Sequence, residues 1–197
     1  SHQMALRAID EGRFKEEIVP IETPHGLFSV DEHPRRDTSL EKLASLKVLH
    51  PEIEGFGITA GNSSGGNDAA AALAIASSDL GLPALGTVRA WASVGVDPAI
   101  TGLAPVEAIP KALARAGLSI ADVDLFEINE AFAAQCVACI KLLDLDPGKV
   151  NTSGSGCSLG HPVAATGARM LVTLVHELRR RGGGIGVAAM CAGGGMG

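Results

Sequence analysis

The sequence predicts an α/β fold, layered, with a mixed and mostly parallel sheet covered on both faces. Three observations predict it. From residue 69 onward apolar runs and amphipathic stretches succeed one another in the order β-β-α-β-α-β-α-β, and such alternation packs as parallel strands under helices. Glycine is abundant, with 25 residues clustered in loops rather than spread as low complexity. At 197 residues and 46% hydrophobic content, the chain can bury a sizeable core in one domain or a little more.

Residues 1–12 read as a helix with Met4, Ala5, Ala8 and Ile9 on one face, starting without a cap. Residues 14–34 are mixed and loop-like. Residues 38–49 form a second short helix, with Ser39 as cap and Leu40, Leu43 and Leu46 as its stripe. The first 55 residues are polar and poor in strand signals, so they are assigned to a satellite or inserted loop region. Residues 55–68, GFGITAGNSSGGND, are a loop.

Beyond it the texture changes. Residues 69–76 are a continuous apolar run between turn signals and predict a buried strand. Residues 85–94 alternate, with Val88, Ala90 and Ala92 on one side, and predict another. Residues 106–116 predict a helix ended by Gly117, with Pro110 confined to its first turn. Strands follow at 123–128, 150–152 and 185–191, and helices at 130–143 and 163–181. The last helix directs Met170, Leu171, Leu174, Val175 and Leu178 inward. It ends in three arginines and Gly182, as its dipole prefers.

Composition narrows the chemistry. A net charge of −6 with no block of like charge argues against nucleic acid as a partner. Four cysteines do not make a disulfide framework and suit a reducing compartment, hence a cytoplasmic location. The N-terminus lacks a signal-peptide layout, and no apolar run reaches a membrane span. His176-Glu177 has no second histidine four residues on, so no metal site is expected. Cys136 and Cys139 match C-x-x-C but lie inside a predicted helix among apolar neighbours, and read as core. GGGIG at 182–186 and GGGMG at 193–197 lack G-x-G-x-x-G between strand and helix, which argues against a dinucleotide site.

Functional loops in such sheets lie at the strand carboxyl ends. Three carry capable residues. Asn129 follows one strand, as either a site residue or a plain N-cap. His161 follows a Ser/Gly turn at 153–156, with Pro162 at the first position of the next helix; it is either a proton shuttle or a packed cap. Cys191 ends a strand before Ala192 and three glycines whose free N–H groups can hold an oxyanion; otherwise it is a buried structural thiol. The role of Cys157, beside His161, stays open.

Asn129-Glu130-Ala131-Phe132, Gly160-His161-Pro162 and Cys191-Ala-Gly-Gly-Gly resemble the NEAF, GHP and CxGGG motifs of thiolases. GRFKEEIVP, DEHPRRDTSLEKLASLK, TAGNSSGGNDAAAA and WASVGVDP also look like thiolase segments, so the likeness covers nearly the whole chain. It implies the thiolase fold, with residues 1–55 as the tail of the inserted loop domain and 56–197 as a C-terminal domain that stops before its last strand.

The implied activity is thiolysis of 3-ketoacyl-CoA to acetyl-CoA and a shorter acyl-CoA, or the reverse condensation. CoA and acyl-CoA are substrates, and no cofactor is implied. By the resemblance, His161 activates a nucleophilic cysteine and helps bind the thioester oxygen. Cys191 is the acid/base, tuned towards neutrality by a positive local field. Asn129 holds a water in the oxyanion site it shares with His161, and the Gly193 N–H serves a second oxyanion hole. Arg35, Leu46, Ala60 and Ser64 fall where thiolases contact CoA, and Phe132 lines the pocket. The family assembles as dimers or tetramers.

There are departures. The family's nucleophilic cysteine lies in a first half that has no counterpart among these residues, so the chain alone is expected to be inactive. Ala164 stands where glycine is usual, and Ala192 where a larger aliphatic is usual. A non-catalytic CoA- or acyl-binding module remains the alternative.

Overall fold

The computed structural model describes residues 1–197. Its α helices are α1 (His2–Asp10), α2 (Leu40–Ala44), α3 (Ala104–Ala116), α4 (Ala133–Leu142), α5 (Gly156–Leu159) and α6 (Thr166–Arg180). Its strands are β1 (Ile21–Thr23), β2 (Gly26–Phe28), β3 (Leu125–Ile128) and β4 (Gly186–Ala189).

The core is built on β3, all four residues of which are buried. β3 pairs in parallel with β4, Ile128 opposite Ala189, and Phe126 makes a parallel bridge to Val150 on the other side. Successive side chains of a strand point to opposite faces, and the two faces differ here. Phe126 and Ile128 join Ile109 and Leu113 of α3, Cys136 and Cys139 of α4, and Val123, Leu145 and Val150 in one apolar cluster. Glu127 faces the other way and meets Arg169 of α6. Leu174 of α6 lies against Gly186, where a Cβ would fall 2.8 Å from its side chain. The result is helix, parallel sheet, helix.

Several expected elements take another form. Residues 69–76 and 85–94 build no strands: Ile75, Val88 and Trp91 are 81%, 67% and 71% exposed. Apolar character favours burial, but a strand also needs an edge to pair with. No backbone hydrogen bond ties residues 69–76 to another segment. Only residues 94–96 find partners, antiparallel to 195–197, with Val94 and Val96 N–H groups donating to Gly197 and Gly195. Trp91 is held from the side by Arg115, which stacks on the ring and donates to its carbonyl.

Pro110 lies in the interior of α3, not its first turn. It sits on the exposed face, where water can serve the carbonyl its missing N–H leaves free. The second helix is only five residues long, with Ser39 accepting from the Lys42 N–H as its cap. The expected strand at 150–152 reduces to the Val150 bridge, and the Ser/Gly turn after it contains α5.

Pro162 does not open α6. Its carbonyl accepts from Ala165 and Thr166 in the turn before the helix starts. The buried stripe of α6 is Thr166, Met170, Thr173, Leu174 and Glu177, so the helix is rotated from the purely apolar face expected. The polar members are buried because each finds a partner: Thr166 bonds His161, Thr173 bonds Glu17, and Glu177 meets Arg13, Arg180 and Arg181.

Candidate active site

Asn129 is the first residue after β3, and its N–H donates to Ala189 at 2.9 Å, continuing the ladder to β4. It is no N-cap, because α4 begins only at Ala133 behind Phe132. Its neighbours are laced in place. Asn151, held at φ +50°, accepts from the Ile128 N–H and donates to the Ile128 carbonyl, both at 2.8 Å, standing in for a sheet partner. Ser155 donates to the same carbonyl and accepts from Glu130 N–H.

The Asn129 side chain is fully buried, yet neither its Oδ1 nor its Nδ2 has a hydrogen-bond partner in the chain. Leaving buried polar atoms unmet costs about 1–3 kcal/mol each, and buried side-chain amides ordinarily have a protein or water partner. Gly156 approaches it closely: a Cβ there would lie 2.3 Å from Glu130 O and 3.0 Å from Asn129 Oδ1.

His161 lies between α5 and α6. Its N–H donates to Asn67 Oδ1 at 3.0 Å, and the same Asn67 lies against Gly160, at φ +93°, where a Cβ would clash at 2.6 Å. Nδ1 contacts Thr166 Oγ1 at 2.7 Å. Nε2 makes no hydrogen bond in the chain and is not sealed off. Burial, helped by the Arg169 charge, lowers the imidazole's pKa. It is therefore neutral around pH 7 and suited to accept a proton.

Cys191 follows β4 by two residues and is half-buried. Burial pushes its thiol up, and no cation opposes it. The group is therefore a protonated thiol at neutral pH, able to donate a proton. Gly193 stands in the turn closed by the Ala192–Met196 bridge, and its N–H makes no hydrogen bond within the chain. Asn129 and Cys191 thus both leave the carboxyl ends of neighbouring parallel strands, and the His161 loop reaches Asn129 through Gly156.

The other predicted contacts divide. Ser64 N–H donates to Ala131 at 3.0 Å, and Ser63 bridges Phe132, which is 43% exposed. The loop carrying Ser64 therefore lies against the Asn129–Phe132 segment. Leu46 packs on Gly61 in that same loop, next to exposed Ala60. Arg35 is exposed on a neighbouring segment; its N–H donates to His2, and His33 two residues earlier lies against Gly65. An open depression of about 320 Å³ runs between residues 67–69 and 162–165, beside His161.

The remaining thiols are structural. Cys136 and Cys139 are buried in the core, and Cys157 is buried with its N–H on Glu130. Burial pushes both Cys136 and Cys157 up to about 12.

Sequence reasoning missed Asn67, Asn151, Ser155, Thr166 and the Glu127–Arg169 pair. The last carried a signal, a carboxylate between Phe126 and Ile128 inside a strand-like apolar run. Glu127 is fully enclosed and pushed up to about 7 by burial, which outweighs Arg169 at 3.2 Å.

The family model described as the thiolase C-terminal domain matches residues 82–197, and that of the thiolase N-terminal domain matches residues 1–79. The chain belongs to the thiolase family. Its whole length is 48% identical to 52% of a probable acetyl-CoA acetyltransferase of Escherichia coli. It is likewise 48% identical to 49% of the peroxisomal 3-ketoacyl-CoA thiolase of Homo sapiens. The crystal structure of human mitochondrial 3-ketoacyl-CoA thiolase superposes with a TM-score of 0.91 at 41% identity, over 99% of this chain and 50% of that one. The chain thus has the thiolase fold and spans about half the length of the relatives it matches. The thiolase-like loops of Asn129 and Cys191 follow neighbouring parallel strands, and that of His161 follows α5, whose Gly156 lies against Asn129.

Proposed function

We propose that this chain supplies the His, Cys and Asn part of an acetyl-CoA acyltransferase site. The reaction is thiolysis of 3-ketoacyl-CoA to acetyl-CoA and a shortened acyl-CoA, or the reverse condensation. The observation that carries the reading is the Asn129 amide, buried with both polar atoms unmet. Asn129 is the one buried side-chain amide with both its polar atoms unmet, where such groups ordinarily find protein or water partners. A free His161 Nε2 and an unbonded Gly193 N–H support it.

In this reading His161 takes the proton from a nucleophilic thiol, and that thiolate attacks the keto carbon. The water on Asn129, with His161, stabilises one developing oxyanion, and the Gly193 N–H the other. Cys191, protonated at rest, gives its proton to the departing acetyl α-carbon and then takes that of the incoming CoA sulfur. Arg35, Leu46, Ala60, Ser64 and Phe132 form the CoA side. The nucleophile is none of the four cysteines here, so the chain alone leaves the acyl-enzyme step unmade. Coenzyme A thioesters as ligands, a homodimer or homotetramer and a cytoplasmic location belong to the same proposal.

The second reading is a CoA- or acyl-binding module without catalysis, which would need none of Asn129, His161 and Cys191. Calorimetric CoA titration and a thiolysis assay on the same sample separate the two. The proposal expects CoA binding that Arg35→Ala weakens and Cys191→Ala alters, without thiolysis by the chain alone. Binding indifferent to Cys191→Ala favours the module; thiolysis by this polypeptide refutes the missing-nucleophile claim.

A further inference from the structure

We propose that Thr166 is a positioning residue that locks His161 in the tautomer with its proton on Nδ1, leaving the Nε2 lone pair free for the reacting thiol. The inference rests on the acid/base role given to His161 above.

The argument is a count of protons. Thr166 Oγ1 has two close polar neighbours, the Pro162 carbonyl at 2.9 Å and His161 Nδ1 at 2.7 Å. Thr166 is fully buried, so no solvent intervenes. A hydroxyl has one proton to donate and lone pairs to accept with. If it donated to Nδ1, two bare oxygens would face each other at 2.9 Å with no proton between them. If it donates to Pro162, the imidazole must supply the other proton, and Nδ1–H donates to Oγ1. Only the second arrangement satisfies both contacts.

The backbone makes this arrangement rigid. Thr166 is the first residue of α6, and its own N–H and that of Ala165 donate to the same Pro162 carbonyl. On the other side, Asn67 holds the His161 N–H. The ring is thus fixed at both ends of its short loop, and the tautomer is chosen by a side chain five residues along the chain. Free imidazole in water has no such constraint. A threonine five residues after the histidine, at the start of the helix, carries the feature in the sequence.

The test is nitrogen-15 NMR of the histidine-labelled chain, reading long-range proton–nitrogen correlations that distinguish Nδ1–H from Nε2–H. It needs no turnover. The parent chain is expected to show His161 with protonated Nδ1 and unprotonated Nε2. Thr166→Val, nearly isosteric, is expected to shift the tautomer ratio towards Nε2–H by about tenfold, the ratio one ordinary hydrogen bond sets. Thr166→Ser keeps the hydroxyl and should restore the parent pattern. If Thr166→Val does not fold, the parent and the serine variant still decide. A parent spectrum dominated by Nε2–H overturns the proposal, as does a folded Thr166→Val with the parent pattern. Nδ1–H in a protein that does not bind CoA would leave Thr166's role standing and defeat the proposed function instead.

Discussion

Gly156→Ala tests the packing that brings the His161 loop to Asn129. Gly156 is the first residue of α5 and has no positive φ, so its backbone conformation suits alanine. In helices alanine is favoured over glycine by about 0.5–1 kcal/mol. The obstacle is steric: the new Cβ would lie 2.3 Å from Glu130 O and 2.9 Å from Glu130 C, where ordinary contact begins at 3.4 Å. Backbone would have to retreat by about 1 Å, and it is backbone that Ser155 and Asn151 hold from the other side. Overpacking of this kind costs about 1–3 kcal/mol. The net expectation is a loss of roughly 1 kcal/mol, or about 2–4 °C in Tm for a chain of this size. Urea unfolding of parent and variant measures it. Gly66→Ala is the control, since a Cβ there meets nothing within 4 Å and φ is not positive. It should be neutral or stabilising by about 0.4–1 kcal/mol. A Gly156→Ala chain as stable as the parent, or a Gly66→Ala chain equally damaged, would refute the reasoning.

Asn151→Ala strands the N–H and carbonyl of Ile128 and puts alanine at φ +50°. A loss of about 3–5 kcal/mol is expected in denaturant unfolding, of which Asn151→Gly should recover only about 1 kcal/mol. Asn67→Ala frees the His161 N–H, and amide hydrogen exchange there should quicken about tenfold while Ile128 keeps its protection. Glu127 carries a pH signature. Its pKa is about 7 folded against 4.5 as a model carboxyl. Between those values the folded state holds a proton the unfolded state has released, so stability is greatest below pH 4.5 and falls as pH rises through the window. The whole loss is at most about 3 kcal/mol. Glu17 and Asp31, also raised by burial, add in the same sense. The lowered histidines His2, His33 and His161 act oppositely just below pH 6.5. Glu127→Gln should flatten the slope of stability between pH 4.5 and 7, and an unchanged slope would count against this assignment.

The legible parts of the fold were those in which local pattern and final environment agree. Ser39 caps a helix wherever that helix packs, and Gly117 ends α3 in the left-handed conformation through its own freedom. β3 read as a strand because its apolar residues are buried on both faces. Residues 69–76 and 85–94 carried a comparable apolar signal and formed no strand, because pairing is a property of two segments. Pro110 was misplaced for a related reason: on the exposed face of a helix that is packed on its other side, the cost of an interior proline is outweighed by the packing.

The sequence by itself determined helices α3, α4 and α6, strands β3 and β4, and the three loops bearing Asn129, His161 and Cys191, since strand–loop–helix punctuation is written locally in glycines, caps and apolar period. Only the tertiary structure decided what those residues can do. That the Asn129 amide is unmet, that burial raises the Cys191 thiol, and that Thr166, Asn67 and Asn151 hold the loops all depend on which groups meet across distant segments. Charge state and hydrogen-bond satisfaction follow burial and partners, and neither exists until the chain has folded.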